Sequence, residues 1–147
     1  RLMEKAQELF LKFGYKATPM DQIAEEAGIS KMTIYRYFKS KEDLFVKTIL
    51  SVMEKYFKYI KDNMDEIEGT LEKIDFLLNL GLEYSKEYSL ALYKDILDNP
   101  YIYDAIIKEK KIMSRIIFED IIREGMKKGE IRNIDGTFVD CIDRWYG

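Results

Sequence analysis

The 147-residue sequence contains no histidine. That removes the usual general base, the usual proton acceptor for a nucleophilic serine and the commonest metal ligand. A single cysteine, Cys141, excludes an intramolecular disulfide framework and a metal cluster built on paired cysteines. It fits a reducing cytoplasm, the expected location, and reads as a packing residue rather than a redox switch. Two prolines and eight glycines leave little material for a fold of strands and turns. No apolar run reaches the roughly 18 residues of a membrane span, so no membrane partner is expected, and no secretory leader is recognisable. The chain opens on Arg1 rather than Met, so its true N-terminus is expected to be missing.

What is present is 47% hydrophobic and 35% charged, with a net charge of −3. This length has room for one large helical domain, or for a small head and a body sharing a continuous core. The charge is unevenly spread. Residues 1–50 hold nine Lys/Arg against seven Asp/Glu, and the stretch Ser30–Lys41 holds Lys31, Arg36, Lys39 and Lys41 with no acid. A nearby polyanion responds to that local field, because charges further than about 8 Å are largely screened.

Helical spacing runs along the chain. Leu2, Ala6, Leu9, Phe10 and Phe13 form one stripe that stops at Gly14. Thr18 is placed as an N-cap, with Pro19 in the first helical position and Asp21 completing the capping signature of a short helix ending near Ala27. Gly28-Ile29-Ser30 follows, a glycine-containing three-residue turn of the helix-turn-helix kind. Ser30 opens a third helix, Lys31–Phe38, and Ser40 with Asp43 opens a long fourth helix whose apolar positions continue to Ile60. Asp65–Gly69 breaks the pattern. Thr70–Glu87 is apolar on most faces and is expected to be central and buried. Leu90–Leu97 and a long segment near 102–127 are further helices. Asp135 is expected to cap a last helix, cut short at Gly147.

The third helix carries the most chemistry. At about 100° per residue, Ile34 and Phe38 fall on one side, leaving Met32, Thr33, Arg36 and Tyr37 opposite and Tyr35 on the flank. That outward face suits a DNA major groove. Arginine binds guanine O6 and N7 bidentately, threonine reaches either base type, and tyrosine hydroxyls and lysine ammoniums hold phosphates.

Residues 1–50 resemble the DNA-binding head of the TetR family. The resemblance rests on Phe13-Gly14-Tyr15, Ala17-Thr18, Ile23-Ala24, Ala27-Gly28-Ile29-Ser30, Thr33-Ile34-Tyr35, Tyr37-Phe38 and Ser40-Lys41-Glu42-Asp43-Leu44. It implies that Thr18 contacts phosphate and that Ser30, Lys31 and Thr33 lie at the groove. Tyr35 and Tyr37 would brace the backbone, and Lys41 would meet phosphate at the start of the fourth helix. Arg36 occupies a variable position and is the candidate for sequence choice. Met32 departs from the small residue often found there, and would either touch a thymine methyl or loosen the fit.

The fold implied is all-α: a three-helix DNA-binding domain over residues 1–46, joined by the long fourth helix to a helical ligand-binding and dimerisation domain over 47–147, incomplete at its C-terminus. The expected function is that of a repressor, a homodimer reading a palindromic operator on double-stranded DNA with two helices ~34–36 Å apart. A small-molecule effector, apolar or aromatic, would release it. No cofactor, metal or catalytic residue is expected. Tyr56, Phe57, Tyr84, Tyr88, Tyr93 and Phe118 are the ligand-site candidates, although each also fits ordinary packing. Asp75, Glu83 and Asp120 would suit a cationic ligand, and equally fit the surface. An alternative is a regulator of the same fold controlled by a protein partner. An enzyme would have to rely on carboxylates such as Glu83 or Asp95, for which no motif is present.

Overall fold

The computed structural model describes residues 1–132 and Arg144, so Asp135, Cys141 and the expected last helix lie outside the described residues. Among the described residues seven helices follow one another: α1 (Leu2–Phe13), α2 (Met20–Ala27), α3 (Lys31–Tyr37), α4 (Lys41–Met64), α5 (Thr70–Ser85), α6 (Leu90–Asp98) and α7 (Pro100–Lys127). The architecture is all-α, with a helix-turn-helix arrangement at the N-terminus joined by α4 to a helical bundle. None of the described helices is long and apolar enough to cross a membrane.

Local chemistry sets most boundaries. Gly14 ends α1 with φ 82°, and its N–H donates to the Phe10 carbonyl at 2.9 Å. Gly28 ends α2 in the left-handed region, φ 70°, while the N–H groups of Gly28 and Ile29 donate to the carbonyls of Glu25 and Ala24. This double bond pattern reverses the chain tightly and turns Ile29 back onto the core. Ser30 then caps α3 by accepting from the Thr33 N–H at 3.0 Å. Ser40 caps α4 by accepting from Asp43, whose carboxylate accepts in return from the Lys39 N–H, each at 3.0 Å. Asn99 caps α7, which therefore begins at Pro100, earlier than the sequence pattern indicates.

One expected cap is corrected. The Ile23 N–H bonds to the carbonyl of Pro19, so Pro19 rather than Thr18 is the cap of α2. The Thr18 side chain is 0% exposed and donates to the Gly14 carbonyl at 2.7 Å, tying down the α1–α2 turn.

Head and body share one core. Ala6, Leu9, Phe10, Ile23, Ile34, Leu44 and Phe45 of the first four helices pack in the same cluster as Leu92 of α6 and Ile102 and Ile106 of α7. A second, smaller cluster (Ile60, Met64 and Ile121) forms toward the far end of α4 and α7.

The burial expected of the 70–87 helix is also corrected. Among the described residues only Thr70 and Lys73 of α5 are buried, while Leu71, Leu78 and Leu82 are exposed, Leu71 at 76%. Helix α5 packs on α7 along one side, so its apolar residues outnumber the described side chains available to cover them. Lys73 sits at 8% exposure because it is ion-paired to Glu124 of α7. That pairing holds the Glu124 carboxyl below its usual range.

Candidate nucleic-acid interface and internal cavity

The α2–α3 turn and the cap at Ser30 present α3 with Ile34 fully buried and its other side open. Lys31, Met32, Tyr35, Arg36 and Tyr37 are exposed, Met32 at 72% and Tyr37 at 73%, and Thr33 is half-buried. Side chains this large and apolar gain nothing from water, and their clustering around Arg36 makes this face the candidate for recognition. The hydroxyls of Ser30 and Thr33 lie 2.8 Å apart and bond to one another at the helix start. Lys31 is ion-paired to Asp21 of α2 at 3.0 Å. Arg36 has no ion pair among the described residues.

Two expected phosphate contacts look different in three dimensions. Thr18 is fully buried with its hydroxyl donated inward, so the phosphate contact expected of its side chain is withdrawn. Lys41 does stand at the start of α4, but its ammonium lies 4.4 Å from the centre of the Tyr15 ring. Burial lowers its pKa, opposed by the carboxylate of Asp95.

Between the two apolar clusters lies a cavity of about 320 Å³, walled by α4, α5, α6 and α7 with Leu11 of α1 at one edge. The sequence candidates Tyr56, Phe57, Tyr84, Tyr88 and Tyr93 all line it. Tyr56 and Tyr84 meet edge-on at 4.5 Å between ring centres, and Tyr88 and Tyr93 at 6.2 Å. Burial, followed by nearby Glu87, pushes the Tyr88 phenol up to about 12, so it stays protonated and able to donate. Phe118 is corrected: it is 46% exposed and not part of the lining, since it falls off the α7 stripe of Ile106, Met113 and Ile117 that faces the cavity. The acids Asp75, Glu83 and Asp120 do not line it either.

Sequence reasoning missed the joint between the two regions. The buried carboxylate of Asp95 on α6 accepts from the backbone N–H of Lys16 at 2.9 Å, and the Lys16 ammonium reaches Asp98 at the same distance. The Ser89 N–H donates to the Leu11 carbonyl at 3.1 Å, and Asn99 donates to Glu42 at the start of α4. On its other side α6 supplies Leu92, Tyr93 and Ile96 to the cavity. No sequence motif marks Asp95, a lone acid in the middle of a mostly apolar helix. A second missed residue, Lys110, was legible: it occupies the inward register of α7 between Ile106 and Met113.

Comparison with known proteins converges on this arrangement. The profile of the family described as "Bacterial regulatory proteins, tetR family" matches residues 2–48. The HTH-type transcriptional regulator YhgD of Bacillus subtilis is 32% identical over 138 residues, which cover 91% of this chain and 72% of that one. The fatty acid metabolism regulator protein of the same organism is 23% identical over 158 residues, covering 99% of this chain and 81% of its own. Among solved structures, FadR from Bacillus subtilis in complex with stearoyl-CoA superposes with a TM-score of 0.72 at 23% identity, over 99% of this chain and 83% of that one. A transcriptional regulator from Saccharomonospora viridis in complex with choline superposes with a TM-score of 0.70 at 23% identity, over 99% and 75%. A head that exposes α3 through a Gly28–Ser30 turn, matched by the family profile and carried by a chain-length relative, makes this protein a member of the TetR family of DNA-binding transcriptional regulators.

Proposed function

We propose that the protein is a repressor that reads a palindromic operator as a homodimer and leaves it when a small-molecule effector fills the cavity. Residues 1–46 act as the DNA-binding domain and 47–147 as the ligand-binding and dimerisation domain. Ser30, Lys31, Met32, Thr33, Tyr35, Arg36, Tyr37 and Lys41 contact the operator, Arg36 choosing sequence and the lysines neutralising phosphate. Tyr56, Phe57, Tyr84, Tyr88 and Tyr93 contact the effector.

The observation that carries the reading is the double role of α6, which lines the cavity with Leu92, Tyr93 and Ile96 and holds the α1–α2 turn through Asp95. An occupant that prefers a different seat of α6 moves the head by its differential affinity for the two arrangements. Structural neighbours solved with stearoyl-CoA and with choline indicate that the fold alone does not choose the ligand. The lining residues must.

The test is selection of binding sites from random DNA by the purified protein, followed by operator binding in the presence of small molecules extracted from it. Palindromic sites with half-site centres about 34–36 Å apart are expected, together with loss of binding on adding the extract. Sites without two-fold symmetry overturn the dimeric operator. Operator binding untouched by every extracted compound favours control by a protein partner.

A further inference from the structure

We infer that the cavity takes an amphipathic acid, its apolar tail among the tyrosines and its carboxylate against Lys110. The inference rests on the proposed role of the cavity as an effector site. Helix α7 turns Ile106, Lys110, Met113, Ser114 and Ile117 toward the cavity, a stripe in which lysine stands where periodicity calls for an apolar residue. Among the described residues, Lys110 is the one charged side chain of the lining. Among the described residues its ammonium has no ion pair, although α7 offers acids to neighbouring lysines and arginines elsewhere, as Glu119 to Arg115 and Glu124 to Lys73.

The remaining polar groups of the lining sort themselves the same way. Ser85 and Ser114 have already given their protons to the carbonyls of Leu82 and Lys110. Among the described residues, the hydroxyls of Tyr56, Tyr84, Tyr88 and Tyr93 have no hydrogen-bond partner. Among the described residues, the free polar capacity of the lining therefore consists of one cation and several neutral phenol donors, and no carboxylate is part of the lining, Glu87 lying beside Tyr88 outside it. An anionic head answers the ammonium, and the neutral phenols do not oppose it. A cationic ligand would find aromatic faces but also the repulsion of Lys110 and no counter-charge. Lys110 is itself exposed, so its ammonium marks the mouth of the cavity. A bound acid is then oriented head outward, with its tail directed toward Tyr56 and Ile60.

The test compares three probes with one tail, namely decanoate, decanol and decyltrimethylammonium, by isothermal titration below their micelle thresholds. Decanoate is expected to bind at least ~10-fold more tightly than either of the others, a difference of about 1.4 kcal/mol. Lys110→Met should erase that preference while leaving decanol binding unchanged, and Lys110→Arg should keep it. Gly81 lines the cavity with open space where a side chain would start, so Gly81→Leu should abolish binding of all three. Decanol or the ammonium binding as tightly as decanoate overturns the inference and leaves the effector site standing. So does a preference that survives Lys110→Met. Decanoate binding that survives Gly81→Leu means adsorption outside the cavity and overturns it as well. Failure of all three probes to bind overturns the effector reading itself.

Discussion

Arg36 and Lys31 lie on the same helix, yet their surroundings assign them different work. Lys31 is held 3.0 Å from Asp21, so contact with a phosphate exchanges one partner for another. The Arg36 guanidinium is exposed and flanked by Tyr35 and Tyr37, with its planar donor fork free for a base edge. On the proposed reading, Arg36→Ala costs about 1–3 kcal/mol on the operator and almost nothing on random DNA. Lys31→Ala weakens both alike and lowers the slope of log affinity against log salt by about one. Fluorescence anisotropy over a salt series separates the two. Equal losses on both DNAs for Arg36→Ala would remove it as a base reader.

At the scale of elements, α6 is short but has two neighbours that matter. Its Asp95 carboxylate, buried beneath the α1–α2 turn, accepts from the Lys16 N–H, and a Cβ on Gly14 would lie 2.7 Å from the same carboxylate. Glycine at 14 thus answers both a positive φ and a close approach. Asp95→Ala leaves a partly buried N–H without an acceptor and is expected to cost about 1–3 kcal/mol of stability. Asp95→Asn, which keeps a carbonyl oxygen in place, should recover most of it. Urea unfolding of the two variants tests this. If Asp95→Ala falls within about 0.5 kcal/mol of the parent, a typical surface effect, the turn is held by the Ser89–Leu11 bond and apolar contact alone.

For the molecule as a whole, stability should respond to acid and hardly at all near neutrality. Among the described residues, four carboxyls sit below their usual range. The Lys39 N–H lowers Asp43, Lys16 lowers Asp98, Lys73 lowers Glu124 and the Thr70 N–H lowers Glu130. A lowered native pKa means that the unfolded chain binds more protons. The contribution is fully present above the ordinary carboxylate range and is lost as pH falls through the native values. With no histidine to titrate, the urea midpoint should stay flat between about pH 6 and pH 8 and drop between about pH 5 and pH 3. A midpoint that rises on acidification would contradict these pairings.

Much of this was legible in the sequence because it is decided over a few residues. Gly28 can adopt the left-handed turn, Ser30 and Ser40 carry hydroxyls that reach the N–H three positions on, and the apolar period marks each helix. Those features alone identify the all-α head and the outward face of α3. Tertiary structure decided what depends on a distant partner. Thr18 does not cap α2 because its side chain is turned inward and fully buried, its hydroxyl donating to the Gly14 carbonyl, while Pro19 takes the cap position. The apolar count of α5 was read correctly, but burial requires a neighbour, and among the described residues α7 covers only part of it. Phe118 was expected at the ligand site and lies off the cavity, because the rotation of α7 about its axis is set by packing on α4 and α6. Periodicity fixes which residues share a face; only the contacts between helices determine where that face points.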